Sequence, residues 1–123
     1  MLFLVVEDDA DVQRALVRFL RIHFSAEVIA AGSVTTGLRA LKDHVFDLVV
    51  TDFQLPDGTG AEIIKAVRNL KRRTPLVLHS GALDDDLTGY DVDAYVHKPS
   101  VMSDLAVVCQ KLLASFYDQH CPA

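Results

Sequence analysis

The sequence predicts an α/β domain: a five-stranded, doubly wound parallel sheet with helices on both faces. Three observations carry that expectation. Short apolar runs rich in β-forming residues, with no polar alternation, read as strands buried on both faces. The stretches between them place apolar residues at helical spacing. The two kinds of segment alternate, strand then helix, five times along the chain, and repeated βα units require parallel strands joined by right-handed crossovers. The chain has 123 residues, enough for one domain of ordinary size. That domain is expected over residues 1–119, with 120–123 as a tail.

The first strand is Leu2-Phe3-Leu4-Val5-Val6, too short and too β-prone for a helix. After the acids Glu7-Asp8-Asp9, apolar residues recur at Val12, Ala15, Leu16, Phe19 and Leu20 with Arg14, Arg18 and Arg21 between them, an amphipathic helix. A strand over 27–31, a helix over 33–44 and a strand over 47–51 follow. Pro56-Asp57-Gly58 marks a turn, a helix is expected over 59–70, and Pro75 stands at the edge of a strand over 76–79. From 81 to 93 the apolar stripe is weak. Asp84-Asp85-Asp86 favours a helix start and Gly89 its end, so a shortened fourth helix of two turns at most is expected. A strand over 94–97 then ends in Lys98-Pro99. The final helix carries Val101, Leu105, Val108, Cys109, Leu112, Leu113 and Phe116 at helical spacing.

Composition excludes several classes. Half of the residues are hydrophobic and 24% are charged, a globular balance rather than a disordered one. The formal net charge of −5 argues against binding a phosphate backbone, which needs clustered positive charge. The cluster Arg68, Lys71, Arg72 and Arg73 closes a helix, where cations complement the dipole. No direct nucleic-acid partner is expected. The longest apolar run, residues 1–6, falls far short of the roughly 20 residues of a membrane helix, and no signal-peptide pattern opens the chain. The expectation is a cytoplasmic protein with no membrane contact. Cys109 and Cys121 form no CxxC pair and imply no disulfide framework.

In a doubly wound sheet, ligands bind beyond the carboxyl ends of the strands. The first strand ends in Glu7-Asp8-Asp9, the third in Asp52, the fourth in Ser80 and the fifth in Lys98. Three acids, or four with Asp9, converging on one lysine need a counter-ion. Oxygen ligands on loops, with no His or Cys among them, suit Mg²⁺, which keeps several waters and takes a phosphate beside one or two carboxylates.

These strand-end motifs resemble the receiver domain of two-component response regulators over essentially the whole chain, in the stand-alone form of the chemotaxis regulator. Leu4-Val5-Val6-Glu7-Asp8-Asp9 is similar to that family's acidic motif. The run from Asp47 through Asp52-Phe53-Gln54-Leu55-Pro56-Asp57-Gly58 to Gly60 is similar to its phospho-acceptor motif, and Tyr95-Val96-His97-Lys98-Pro99 to its lysine motif. The resemblance implies strand order 2-1-3-4-5. It makes Asp52 the nucleophile that takes a phosphoryl group from a sensor histidine kinase or a histidine phosphotransfer protein. It implies Mg²⁺ held by Asp8, Asp52 and the main-chain carbonyl of Gln54, with Glu7 acting through water. Lys98 and the Ser80 hydroxyl would hold phosphoryl oxygens, Tyr95 would turn inward as Ser80 moves, and the Lys98-Pro99 peptide would be cis. The protein would be a signalling switch rather than an enzyme, passing its state to a separate downstream effector protein.

The sequence departs from the family pattern in three places. Glu7 stands where Asp is commonest and Ser80 where Thr is, which keeps the chemistry. Only 17 residues, 81–97, separate Ser80 from Lys98, and the shortage falls on the fourth helix. That segment motivates the alternative of a phosphorylation-independent pseudo-receiver, against which Glu7, Asp8, Asp52, Ser80 and Lys98 all speak. An aspartate-nucleophile phosphatase would need an acid where this chain has Gln54. A flavin-binding protein of similar fold would not carry three carboxylates in its phosphate loop.

Overall fold

Leu2–Val6 (β1) sends Phe3 and Val5 to one side of a sheet and Leu4 and Val6 to the other, and all four are buried. That explains the strand's lack of polar alternation. The computed structural model describes residues 1–81, 89–98 and 102–120, for 117–120 the backbone alone. Its elements are β1, α1 (Ala10–Phe24), β2 (Glu27–Ala31), α2 (Val34–Asp43), β3 (Leu48–Thr51), the two-residue strands β4 (Gln54–Leu55) and β5 (Gly58–Thr59), α3 (Gly60–Arg68), β6 (Leu76–Ser80), β7 (Ala94–His97) and α4 (Met102–His120).

Five parallel strands form the main sheet in the order β2-β1-β3-β6-β7, which is the expected 2-1-3-4-5. On one face, Leu16 and Leu20 of α1 and Leu105, Cys109 and Leu113 of α4 cover Phe3, Val5, Val50, Val77 and Val96. On the other, Val34, Ala40 and Leu41 of α2 and Ile63, Ile64 and Val67 of α3 cover Leu4, Val6, Val49 and Leu76. Each Val, Leu, Ile or Phe side chain so withdrawn from water contributes about 1.5–3 kcal/mol before chain entropy is counted.

Helix starts follow local chemistry. The Asp9 carboxylate caps α1 by accepting from the N–H groups of Asp11 and Val12, and Ser33 with Thr36 forms a reciprocal capping box on α2. Thr59 caps α3. Ser25 ends α1 in the left-handed region at φ 52°, the one non-glycine residue there among those described. The Pro56-Asp57-Gly58 turn closes a small antiparallel hairpin, β4 against β5. Asp57 staples that hairpin to α2: its carboxylate accepts from Val34 N–H at 2.7 Å, Thr35 N–H at 3.0 Å and the Thr35 hydroxyl at 2.7 Å. These three donors hold the carboxyl down at a pKa of about 2.

The amino-terminal edge of the sheet is clasped by ion pairs. Arg68 donates to Asp93 at 3.0 Å, to the Asp91 carbonyl at 2.9 Å and to the Thr74 carbonyl at 3.1 Å. Asp93 also accepts from Arg73 and from the Leu76 N–H. Arg72 reaches Asp47, which itself receives the Leu2 N–H. Three cations of the basic cluster are thus spent on acids of the fold.

The short fourth helix expected between Asp84 and Gly89 lies, up to its closing glycine, on residues 82–88, outside the described residues. The final helix continues through His120, one residue into the expected tail.

Candidate functional site: an acidic cluster bridged by a lysine

The register of β1 with β3 pairs Val6 with Thr51, so the next residue of each strand, Glu7 and Asp52, emerges at the same sheet edge. The Asp52 N–H donates to the Val6 carbonyl at 2.8 Å and the Glu7 N–H to the Ala31 carbonyl at 2.9 Å, which fixes both starting points. Glu7 and Asp52 are buried and Asp8 is exposed. Carboxylate oxygens of the three lie within 4.8 Å of one another.

Lys98 comes to them from the end of β7. Its Nζ donates to Asp52 Oδ2 at 3.0 Å and makes a close ion pair with Glu7 Oε1. Its main-chain N–H donates to the Ser80 carbonyl at 2.9 Å, tying together the ends of β6 and β7. Ser80 is fully buried at the end of β6. The remaining Asp52 oxygen, Oδ1, accepts from the N–H of Phe53 at 2.7 Å.

Burial dominates the titration of Glu7 and holds its pKa above the usual carboxylate range, with Asp52 adding in the same direction, against the Lys98 and Asp9 hydrogen bonds. For Lys98 burial alone would lower the pKa, but the bonds and charges of Glu7 and Asp52 outweigh it and leave the ammonium above its ordinary value. His79, buried one residue before Ser80, is pushed down to about 4, mainly by desolvation and further by Lys98, while Asp52 opposes.

Three carboxylates and one ammonium leave two negative charges over at this edge. An all-oxygen set with one exposed member fits a small hard cation that retains waters. Asp8 and Asp52 face that cluster together with Glu7. Gln54 lies two residues beyond Asp52, at the start of β4.

Other expected site residues fall elsewhere. The Asp9 carboxylate is engaged as the cap of α1 and is no member of the close cluster. Tyr95 lies mid-strand on β7, half-buried, its ring edge-on to His97 with centroids 4.9 Å apart and its hydroxyl 3.5 Å from His97 Nε2. Pro99, and with it the expected cis peptide, lies outside the described residues.

Two contributors escaped the sequence reading. Gln13 sends its amide back to the carbonyls of Glu7 and Ala31. Phe53 packs on Tyr90, ring centroids 5.3 Å apart. Neither has a local signature: a single Gln on a half-exposed helix face and an aromatic pair 37 positions apart in sequence become visible only when the chain is folded.

A five-stranded sheet in this order with acids after β1 and β3, a hydroxyl at the end of β6 and a lysine after β7 defines a receiver-type α/β domain. The chain matches the response regulator receiver domain family over residues 3–110, and it belongs to that family. It is 32% identical over 114 residues to the transcriptional regulatory protein PrrA of Mycobacterium tuberculosis, covering 89% of this chain and 48% of that protein. The chain spans about half the length of the curated relatives it matches. A response regulator receiver domain protein from Methanospirillum hungatei superposes with a TM-score of 0.89 at 24% identity, over 96% of this chain and 97% of that one. The BeF3-activated DrrB receiver domain does so with 0.82 at 26% identity, over 92% and 97%. Among the described residues, no helix is long and apolar enough to cross a membrane.

Proposed function

We propose that this receiver domain accepts a phosphoryl group on Asp52 in a Mg²⁺-dependent reaction and switches a partner-binding surface in response. One observation carries the reading: Glu7, Asp8 and Asp52 bring carboxylate oxygens within 4.8 Å while Lys98 bridges two of them from another strand. The donor would be a sensor histidine kinase or a histidine phosphotransfer protein. In that transfer an Asp52 carboxylate oxygen bonds to phosphorus as the bond from phosphorus to the donor's imidazole nitrogen breaks. The Lys98 ammonium, 3.0 Å from Asp52, supports a role in taking up an equatorial phosphoryl oxygen, and the Ser80 hydroxyl would take another. Mg²⁺, held by Asp8, Asp52 and the Gln54 carbonyl with Glu7 behind water, would supply charge neutralisation of the phosphoryl oxygens. The activation of the related DrrB receiver by BeF3 supports the same chemistry here. The curated relatives are transcriptional regulators, so an output element that reads the phosphorylated surface is the downstream partner we propose.

The test is incubation with Mg²⁺ and a small acyl-phosphate donor, followed by intact-mass measurement. One phosphoryl adduct is expected on the wild type and none on Asp52→Asn. A stoichiometric adduct on that variant overturns the assignment, and equal labelling in excess chelator overturns the metal dependence. No adduct on the wild type would favour the phosphorylation-independent interaction module.

A further inference from the structure

The turn that carries Asp8 is only three residues long, 7–9, and its two flanks are held by different means. On one side, Asp9 is fixed as the cap of α1 and its N–H donates to Glu7 Oε2 at 3.2 Å. On the other, the Glu7 N–H is in the sheet, bonded to the Ala31 carbonyl. The Glu7 carbonyl, the atom whose direction sets the Glu7-Asp8 peptide plane, has left the ladder. It accepts from Gln13 Nε2 at 2.8 Å, and the same amide nitrogen lies 3.3 Å from the Ala31 carbonyl. One side chain from the first turn of α1 thus joins the carboxyl ends of β1 and β2 and orients the peptide from which Asp8 departs. Gly32 follows Ala31 without obstructing the amide, since a Cβ there would lie 4.0 Å from Gln13 Nε2.

We propose that Gln13 is a positioning residue for the cation site: through the Glu7 carbonyl it aims the exposed Asp8 carboxylate at Glu7 and Asp52. The inference rests on the Mg²⁺-dependent reading above. Asp8 is the only exposed carboxylate of the three, so its aim depends on its backbone rather than on packing. Gln13 itself touches neither the carboxylates nor the phosphoryl group, and its removal should change cation affinity and leave group transfer intact once the cation is bound.

The experiment titrates the full chain with Mg²⁺ alone, followed by the backbone amide shifts of Asp52 and Phe53, for wild type, Gln13→Met and Gln13→Lys. Met keeps the length and apolar stem without a donor; Lys keeps a donor. Gln13→Met is expected to weaken Mg²⁺ about tenfold, the lower end of what partners behind metal ligands cost. Its rate of labelling by the acyl phosphate at saturating Mg²⁺ should equal that of wild type, and Gln13→Lys should recover most of the affinity. A core variant on the α4 side, Leu113→Ala, serves as a control for general loosening. Unchanged Mg²⁺ affinity in Gln13→Met overturns the proposal, as does an equal loss in Leu113→Ala. Wild type that binds Mg²⁺ but takes no label defeats the phosphorylation reading while leaving the positioning role standing. Wild type that binds no Mg²⁺ defeats both.

Discussion

Gly60 opens α3 with its backbone pressed against the loop that carries Asp52. Its N–H donates to the Phe53 carbonyl at 2.5 Å, and a Cβ added to it would lie 2.4 Å from the Asp52 carbonyl oxygen and 3.0 Å from Phe53 Cα. Ordinary contact begins at 3.4 Å, so Gly60→Ala must open a gap of about 1 Å. Both opposing atoms are backbone, which leaves no side chain to rotate away. Either α3 lifts off β3 or the Asp52-Phe53 peptide moves outward. Forced shifts of this kind cost about 1–3 kcal/mol, and at roughly 4 °C per kcal/mol for a domain of this size Tm should fall by about 4–12 °C. The displacement falls on the peptide of Asp52, the proposed phospho-acceptor, where a 1 Å misplacement can cost about 10²-fold in rate. Labelling by an acyl phosphate should therefore slow by one to two orders of magnitude. Gly58→Ala is the control: the added Cβ would meet the Glu62 carboxylate at 2.9 Å and a Val34 methyl at 3.3 Å, side-chain ends that can yield. Thermal melts and mass-resolved labelling time courses on the two variants decide the matter. A Gly60→Ala protein that melts and labels like wild type would refute the close-approach argument.

Two further outcomes follow from the buried charges. His79 binds its proton at about pH 4 in the folded protein but near its ordinary value of 6.5 when unfolded. The unfolded chain then holds more protons between those values, so stability should decline as pH falls from about 6.5 to 4, and urea melts of His79→Gln should show a flatter profile over that window; an identical slope would exonerate the histidine. At the opposite sheet edge, Arg68→Met removes the main partner of Asp93 while Arg73 and the Leu76 N–H remain. Its cost should be measurable but below the about 3–5 kcal/mol of a fully orphaned buried pair, and a urea midpoint equal to wild type would show that the clasp carries no stability.

The parts of this protein that were legible in its sequence are those written locally. Leu2-Phe3-Leu4-Val5-Val6 announces a strand buried on both faces, Ser33 announces a helix start, and the strand-end acids and Lys98 announce a site because the topology alone brings strand ends together. What escaped is carried by pairs distant in sequence. Asp57 reads as a turn residue, yet it caps α2 from 22 or 23 positions away. Arg68 and Arg73 read as helix-end cations, yet their partner is Asp93, beyond β6. Asp9 reads equally as a cluster acid or a helix cap, and only the direction of its carboxylate distinguishes the two. The hairpin of β4 and β5 has two residues per strand, too few for any alternation to register.

The two edges of the sheet are built on opposite electrostatic plans. At the amino-terminal edge, Arg68, Arg72 and Arg73 meet Asp93, Asp91 and Asp47, and the acids Asp47 and Asp93 also accept backbone N–H groups, so charge there is matched and locked into the ladder. At the carboxyl edge three acids cluster around one lysine that pairs with two of them, and the excess negative charge is the feature a cation or a transferred group can relieve. The chain entering β7 is anchored by Asp91 and Asp93 on Arg68, and by Tyr90 on Phe53, the residue whose N–H holds Asp52 Oδ1. The Asp52 carboxylate thus touches both Lys98, which leads out of β7, and Phe53, which packs on the chain leading into it.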